Sequence, residues 1–156
     1  MLVAEAMEKR CQEENLDGIL LLGDHFYPHG VTSATDPKWY QYVVKPYGQK
    51  KCLSKLKIYP ILGNHDYKGN PQGQIDYTAT SSQWYLPSRF YKLDFGNVIR
   101  FIAIDSGYPD FCFLPNHCSI DFLRASAKTS QASWTIALAH HLLPVICLGV
   151  ELLSAS

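Results

Sequence analysis

The chain has 156 residues, and its 14 basic and 14 acidic side chains give a formal net charge of zero at neutral pH. This length is sufficient for one domain with a hydrophobic core, and the balanced charge does not indicate nucleic acid or an anionic membrane surface as a partner. The sequence has no apolar run long enough to cross a membrane, and residues 1–10 mix charged with apolar residues, which is not typical of a signal peptide.

The first half of the chain is predicted to contain a helix and two buried strands. Apolar residues recur at helical spacing over 3–15, which predicts the helix. Apolar runs at 18–22 and 58–62 each end in Leu-Gly, a pattern typical of buried strands in a mostly parallel sheet. Residues 32–56 are predicted to form a loop and then a helix that proline and glycine interrupt, and residues 74–82 a short helix.

The second half is predicted to add a hairpin, a helix and a third buried strand. Two segments of alternating polarity, 89–95 and 98–104, flank Gly96-Asn97, which indicates a hairpin. Apolar residues fall on one side of the segment 120–128, which predicts a helix. The apolar segment 134–138 predicts a buried strand.

The five cysteines form an odd-numbered set without a Cys-x-x-Cys motif: Cys11, Cys52, Cys112, Cys118 and Cys147. Most of them are expected to be free, buried thiols. One disulfide is the alternative, and Cys112 and Cys118 are the pair closest in sequence.

Side chains with oxygen or nitrogen donors follow three of the predicted strands: Asp24, His25 and Tyr27 after the first, Asn64, His65 and Asp66 after the second, and His140 after the third. Ligands bind beyond the carboxyl ends of parallel strands, and a glycine before each of the first two clusters lets the backbone turn sharply. Two similar clusters favour a metal site over ordinary turns. Asp105, at the end of the second hairpin arm, is expected to be structural rather than catalytic.

The motifs Gly23-Asp24-x-x-Tyr27 and Gly63-Asn64-His65-Asp66 resemble those of the calcineurin-like metallophosphoesterases. The stretch 24–31 resembles the purple, tartrate-resistant type of acid phosphatase, and the resemblance extends over about residues 3–145. It implies an α/β fold, a layered α/β/β/α sandwich of the metallophosphoesterase type. The chain is expected to form a single, partial domain of this kind over residues 1–156.

The resemblance implies a binuclear metal centre in which iron is paired with iron, zinc or manganese. Asp24 would bridge the two metals, Tyr27 would bind one of them, and Asn64 and His140 would bind the other. Two cations roughly 3.5–4 Å apart activate a water and hold the attacking and leaving oxygens of an in-line displacement.

The same resemblance assigns catalytic roles to His65 and Asp66. His65 would bind a phosphate oxygen or protonate the leaving group, and Asp66 would orient the imidazole of His65. The expected reaction is hydrolysis of phosphate monoesters on a small-molecule or protein substrate, without a nucleic-acid or membrane partner. Tyr27 argues against the phosphodiesterase activity found in the wider superfamily.

Two motifs of the resembling family have no counterpart in the chain: an early Gly-Asp-Trp-Gly-like stretch and a closing Gly-His-x-His. We therefore expect a fragment or a natural short form, with a catalytically impaired remnant of the fold as the alternative function. The chain is expected to hold at most one metal firmly, to lack the purple tyrosinate–iron colour and to have little phosphatase activity. Binding of two metals would require further donors such as His25, His29 or His141. A full-length form is expected to be secreted or lysosomal.

Overall fold

The computed structural model describes residues 2–106 and 119–141 and shows two small β-sheets with helical segments between their strands. The strands are β1 (Ile19–Leu22), β2 (Ile58–Ile61), β3 (Tyr91–Phe95), β4 (Ile99–Ala103) and β5 (Trp134–Leu138). The helices are α1 (Leu2–Glu13), a π-helix (Tyr40–Gly48), a 3-10 helix (Leu53–Lys55), α2 (Asn64–Tyr67), α3 (Pro71–Tyr77) and α4 (Ser119–Lys128). These elements confirm the predicted α/β class. None of the described helices is long and apolar enough to cross a membrane.

The two sheets contain the strands that the sequence predicted. β1 and β2 pair in parallel with Ile19 opposite Ile58, so that their carboxyl ends lie side by side. β3 and β4 form the predicted antiparallel hairpin, and β5 pairs in parallel with β4 on its other side. In both sheets a parallel pair therefore places strand ends at a common edge.

β5 differs from its prediction as a buried strand. Trp134 is 66% exposed and Ile136 is 37% exposed, and of the five residues of β5 only Leu138 is buried. Among the strands that the structure describes, β5 lies at the edge of its sheet and pairs only with β4. Within residues 2–106 and 119–141 nothing covers its outer face, and an apolar composition alone does not reveal whether a strand is central or at an edge.

The helical segments match their predictions in place and differ in detail. Helix α1 ends two residues before the predicted boundary. In the segment 32–56 the π-helix contains Pro46 and continues to Gly48, where an interruption was expected. Helix α3 was predicted over 74–82 but ends at Tyr77. It begins earlier than predicted, at Pro71, because the side chain of Asn70 accepts a hydrogen bond from the N–H of Gln72 at 3.1 Å and caps the first turn.

An aromatic core lies beneath the loop that follows β1. Phe26 is fully buried and packs edge-on against Trp39 at 5.0 Å between ring centroids. Trp39 in turn stacks on Tyr77 of α3 at 3.6 Å and contacts the fully buried Trp84 at 5.0 Å. The loop that carries Asp24 is therefore attached to the core through Phe26, two residues away.

A disulfide joins Cys11 of α1 to Cys52, with 5.9 Å between their Cα atoms. The prediction of free thiols was wrong for these two cysteines, because the last turn of α1 lies against the chain that enters the 3-10 helix. The alternative pair, Cys112 and Cys118, lies outside the described residues, as does Cys147.

Replacing Glu8 by glutamine is expected to lower the melting temperature at neutral pH. It is also expected to make the melting temperature depend less on pH in the acid range. The Glu8 carboxylate accepts hydrogen bonds from the N–H groups of Leu53 and Cys52, each at 3.0 Å, and these bonds hold the pKa of Glu8 below its ordinary value. A carboxylate with a lowered pKa stabilises the fold above its unfolded pKa, about 4.3, and this stabilisation is lost as the pH falls through the lower folded pKa.

Thermal unfolding between pH 3 and pH 7 measures the effect of Glu8. Parent and variant should differ by a few degrees at pH 7, and the difference should shrink as the pH falls below the unfolded pKa of about 4.3. Glu5, exposed on the same helix, provides the control variant Glu5→Gln. A difference between parent and Glu8→Gln that stays constant across this range would contradict the role assigned to the carboxylate.

Candidate metal centre

The loops that follow β1, β2 and β5 meet at the carboxyl ends of these strands, as the sequence predicted. Oδ2 of Asp24, after β1, lies 3.5 Å from Nε2 of His140, after β5. Oδ1 of Asp24 accepts a hydrogen bond at 2.8 Å from the N–H of His65, in the helix α2 that follows β2. Asp24 is thus the side chain on which the three loops converge.

The conformation of Asp24 depends on glycines beside it. Gly23 has a φ of 90° and Asp24 a φ of 55°, which is the left-handed region that non-glycine residues rarely adopt. A Cβ atom at position 23 would collide with the ring of His140, and one at Gly63 would collide with the Asp24 carboxylate. Both glycines therefore permit the close approach of the loops.

Hydrogen bonds keep the Asp24 carboxylate ionised. Burial by itself would raise the pKa of Asp24, but hydrogen bonds from the His65 N–H and the Tyr27 hydroxyl, together with the nearby His140, outweigh it, so the pKa lies below its ordinary value. The Tyr27 hydroxyl donates to Oδ2 of Asp24 at 2.9 Å. This hydrogen bond raises the pKa of Tyr27, so binding a metal as phenolate would require Tyr27 to release the proton it shares with Asp24.

A main-chain carbonyl fixes the ring of His140. Its Nδ1 lies 2.7 Å from the carbonyl oxygen of Leu22, and because a carbonyl can only accept, Nδ1 carries the proton. Nε2, the other ring nitrogen, faces Asp24 and is the atom that would bind a cation. The hydroxyl of Ser106 accepts hydrogen bonds from the N–H groups of His140 and His141 at 3.0 and 2.9 Å. Sequence reasoning assigned no role in the site to Ser106, which lies two residues beyond the predicted strand 98–104.

The imidazole of His65 is oriented by Pro28. Nδ1 of His65 donates to the carbonyl oxygen of Pro28 at 2.8 Å, the Tyr27 ring lies 4.5 Å away between centroids, and Nζ of Lys68 lies 3.4 Å from Nε2. The expected hydrogen bond from Asp66 to this ring is not formed. Consecutive residues of a helix point in directions about 100° apart, and α2 directs His65 outward and Asp66 inward.

Asp66 is fully buried and holds the loops together from inside. Its Oδ2 accepts hydrogen bonds from the N–H groups of Asp24 at 2.9 Å and Gly63 at 2.8 Å. Its Oδ1 accepts from the N–H of His25 at 3.3 Å and from the side-chain amide of Gln74 at 2.9 Å. Gln74 was not singled out by sequence, because a glutamine in a short helix carries no signal of its own.

The remaining candidate donors occupy different positions. The side-chain amide of Asn64, the first residue of α2, makes no hydrogen bond to the residues that the structure describes. His25 donates from Nε2 to the carbonyl oxygen of Ile61 at 2.7 Å and packs edge-on against Trp84, and burial lowers its pKa. His29 is exposed, and Nδ1 of His141 donates to the Ser106 carbonyl oxygen at 3.0 Å. The ring of His25 therefore faces the core rather than Asp24.

Asp105, which was expected to be structural rather than catalytic, contacts α2. Its carboxylate accepts a hydrogen bond from the hydroxyl of Tyr67, the last residue of α2. This contact joins α2 to the chain that follows β4, which also carries Ser106.

These donors fit a transition metal. Carboxylate and amide oxygens together with an imidazole nitrogen suit zinc, manganese or iron. Over residues 2–106 and 119–141 no three His, Cys, Asp or Glu side chains converge on one point. The Asn64 amide and the Tyr27 phenol would therefore have to complete a set that begins with Asp24 and His140.

Comparison with known proteins gives one family match and several curated relatives. A family model described as "Calcineurin-like phosphoesterase" matches residues 3–152. The chain is 38% identical over 92 residues to tartrate-resistant acid phosphatase type 5 of Homo sapiens. This alignment covers 59% of this chain and 28% of the relative. It is 26% identical over 158 residues to purple acid phosphatase 7 of Arabidopsis thaliana, in an alignment that covers 90% of this chain and 48% of the relative. The chain thus spans at most 48% of the length of these two relatives.

A solved structure described as "GAP50 the anchor in the inner membrane complex of Plasmodium" has a similar fold. The TM-score is 0.68 at 19% sequence identity, and the match covers 87% of this chain and 48% of that chain. Together with the family match, this likeness confirms the predicted fold type.

Proposed function

This chain belongs to the calcineurin-like phosphoesterase family, and we propose that it supplies metal ligands and a proton donor for the hydrolysis of phosphate monoesters. The observation that supports this most directly is the approach of Asp24 and His140, 3.5 Å apart at the ends of strands from two different sheets. The acid phosphatases among its relatives support the substrate class, a small-molecule or protein phosphate monoester.

We propose Asp24, Tyr27, Asn64 and His140 as the residues that hold the metal centre, with iron paired with iron, zinc or manganese. When bound, such cations supply Lewis-acid stabilisation and lower the pKa of a water. Asp24 contributes a negative charge that its hydrogen bonds keep ionised in mildly acid solution. His140 presents Nε2 because Leu22 holds the proton on Nδ1.

His65 is the proposed proton donor to the leaving group. Its ring is anchored through Nδ1 to the Pro28 carbonyl, so Nε2 is the ring atom that would face a substrate oxygen. Lys68 lies 3.4 Å from Nε2 and adds positive charge where a phosphate would bind. The proton for the leaving group would be a second one, carried on Nε2, while Nδ1 keeps the proton that it donates to Pro28.

The second candidate function is a catalytically impaired member of the family. The absence of a convergent group of three His, Cys, Asp or Glu side chains among the described residues favours weak metal binding. On this view the chain keeps the fold and one incomplete metal site, and it hydrolyses phosphate esters slowly.

Metal loading of the purified chain separates the two functions. The chain is titrated with zinc, manganese and iron, its metal content is measured, and a chromogenic phosphate monoester and diester are assayed at mildly acid pH. Turnover that depends on metal and prefers the monoester supports the phosphatase. At most one firmly bound metal with little turnover supports the impaired form, and an absence of metal binding would contradict both.

Replacing Asp24 by asparagine is expected to weaken zinc binding at least tenfold. Asparagine keeps the size of the side chain and removes the negative charge. Loss of a group that merely hydrogen-bonds a ligand already costs roughly 10–100-fold in metal affinity. Asp76→Asn, in α3 and away from the strand ends, is the matched control and should leave the affinity unchanged. Equal zinc affinities in Asp24→Asn and the parent, measured by calorimetry, would remove Asp24 from the ligand set.

We propose a secreted or lysosomal location for the full-length form. The Cys11–Cys52 disulfide supports an oxidising compartment, since such bonds persist in secreted proteins and are rare in the cytosol.

A further inference from the structure

Asp66 and Gln74 form a buried pair beneath the metal centre, and neither side chain reaches the surface. Both residues are fully buried. The Gln74 side chain donates from Nε2 to Oδ1 of Asp66 at 2.9 Å. Because Asp66 is inaccessible and does not contact the ring of His65, its carboxylate cannot take part in proton transfer to a substrate.

The Asp66 carboxylate joins the two loops that carry the proposed ligands. Its Oδ2 accepts from the N–H of Asp24 and from the N–H of Gly63, so a single oxygen bridges the loop after β1 and the loop after β2. Asp24 has the left-handed φ of 55°. A non-glycine residue keeps such a conformation only where its surroundings hold it there, and the hydrogen bond to Asp66 does so at the N–H of Asp24.

Gln74 is fixed by the core rather than by the metal centre. Its main-chain oxygen accepts a hydrogen bond at 3.0 Å from the indole N–H of the fully buried Trp84. Its side-chain oxygen is buried without a hydrogen-bond partner among the described residues. A buried amide with only one of its polar atoms hydrogen-bonded is unfavourable for stability. Within the part of the chain that the structure describes, the hydrogen bond from Nε2 to Asp66 is therefore the one favourable polar interaction of the Gln74 side chain.

We propose that Gln74 and Asp66 are positioning residues for the metal centre. Gln74 holds the Asp66 carboxylate in place, and Asp66 holds the main chain of Asp24 in the conformation that aims its carboxylate at His140. This inference rests on the proposed function, because it takes Asp24 to be a metal ligand.

The test compares Gln74→Met with a control at Thr78, the residue that directly follows α3. Methionine has a similar volume and removes the one hydrogen bond that the amide makes to the described residues, from Nε2 to Asp66. Thr78→Val is the matched control, because the Thr78 hydroxyl exchanges two hydrogen bonds with Leu86, at 3.1 and 2.9 Å, and does not contact Asp66. Gln74→Met is expected to weaken zinc binding roughly tenfold, whereas Thr78→Val should lower the melting temperature and leave the zinc affinity unchanged.

Amide hydrogen exchange provides a second measurement that does not need metal. The N–H groups of Asp24, His25 and Gly63 should exchange at least tenfold faster in Gln74→Met and in Asp66→Asn than in the parent, and Thr78→Val should not change them. Asparagine at position 66 places an NH₂ group against two N–H donors whichever way it is turned. If Asp66→Asn does not fold, Gln74→Met alone decides the result.

Two outcomes overturn the proposal. One is an equal loss of zinc affinity in Gln74→Met and Thr78→Val, which would mean general destabilisation. The other is unchanged exchange at the three N–H groups in Gln74→Met. If the parent chain binds no zinc, the proposed function fails, and the exchange rates still show whether Gln74 and Asp66 hold the loop.

Discussion

Replacement of His65 by alanine is expected to leave zinc affinity unchanged and to lower the turnover of a phosphate monoester roughly 10²–10⁴-fold, the usual contribution of a general acid. The separation of the two effects follows from the two contacts of this residue. The N–H of His65 supports the Asp24 carboxylate at 2.8 Å, and alanine retains it. The imidazole, anchored at 2.8 Å to the Pro28 carbonyl, is the part that alanine removes.

The control for His65 is His29→Ala. His29 is an exposed histidine in the loop after β1. Its main-chain carbonyl accepts a hydrogen bond from Nζ of Lys38 at 2.9 Å, and this contact survives the substitution. Turnover and metal content are measured for both variants and for Asp24→Asn at the same metal concentration. Loss of metal from His65→Ala comparable to that from Asp24→Asn would contradict the role in proton transfer.

Removal of the Cys11–Cys52 disulfide is expected to lower the free energy of unfolding by about 2–4 kcal/mol. The bond spans a sequence separation of 41 residues and encloses β1 and the loop with Asp24. Helix α1 is otherwise held mainly by Glu8 and by few buried side chains, since only Ala4 and Cys11 of this helix are buried.

Urea unfolding with and without a reductant measures the contribution of the disulfide. The double variant Cys11→Ser/Cys52→Ser should match the reduced parent and should not respond to reductant, which also controls for the other three cysteines. A parent chain whose unfolding midpoint is the same in both conditions would show that the disulfide does not stabilise the fold.

The strands and the convergence of their ends were predictable from local patterns. The apolar runs before Gly23 and Gly63 predicted β1 and β2, and Gly96-Asn97 predicted the hairpin. Once two strands are parallel, their carboxyl ends share an edge, so the proximity of the loops after β1 and β2 followed from the strands alone.

The contacts inside the metal centre were not predictable in the same way. The four partners of Asp66 come from positions 24, 25, 63 and 74 and meet only after the two loops and α3 have packed. The pairing of Cys11 with Cys52 depends on where α1 lies, and sequence proximity favoured a different pair. The exposure of β5 depends on its place in the sheet, which the composition of a five-residue strand does not reveal.

The exposed face of β5 carries a tryptophan, Trp134, whose fluorescence reports on this face. Of its three tryptophans, Trp39 and Trp84 are 3% and 0% exposed, whereas Trp134 is 66% exposed. Acrylamide should therefore quench one emitting population readily and leave the other two indoles shielded. A partner that covers this edge strand, such as a second copy of the chain, would shift the emission of Trp134 to shorter wavelength and protect it from acrylamide. Binding at β5 can therefore be followed in solution through the fluorescence of Trp134, without an added label.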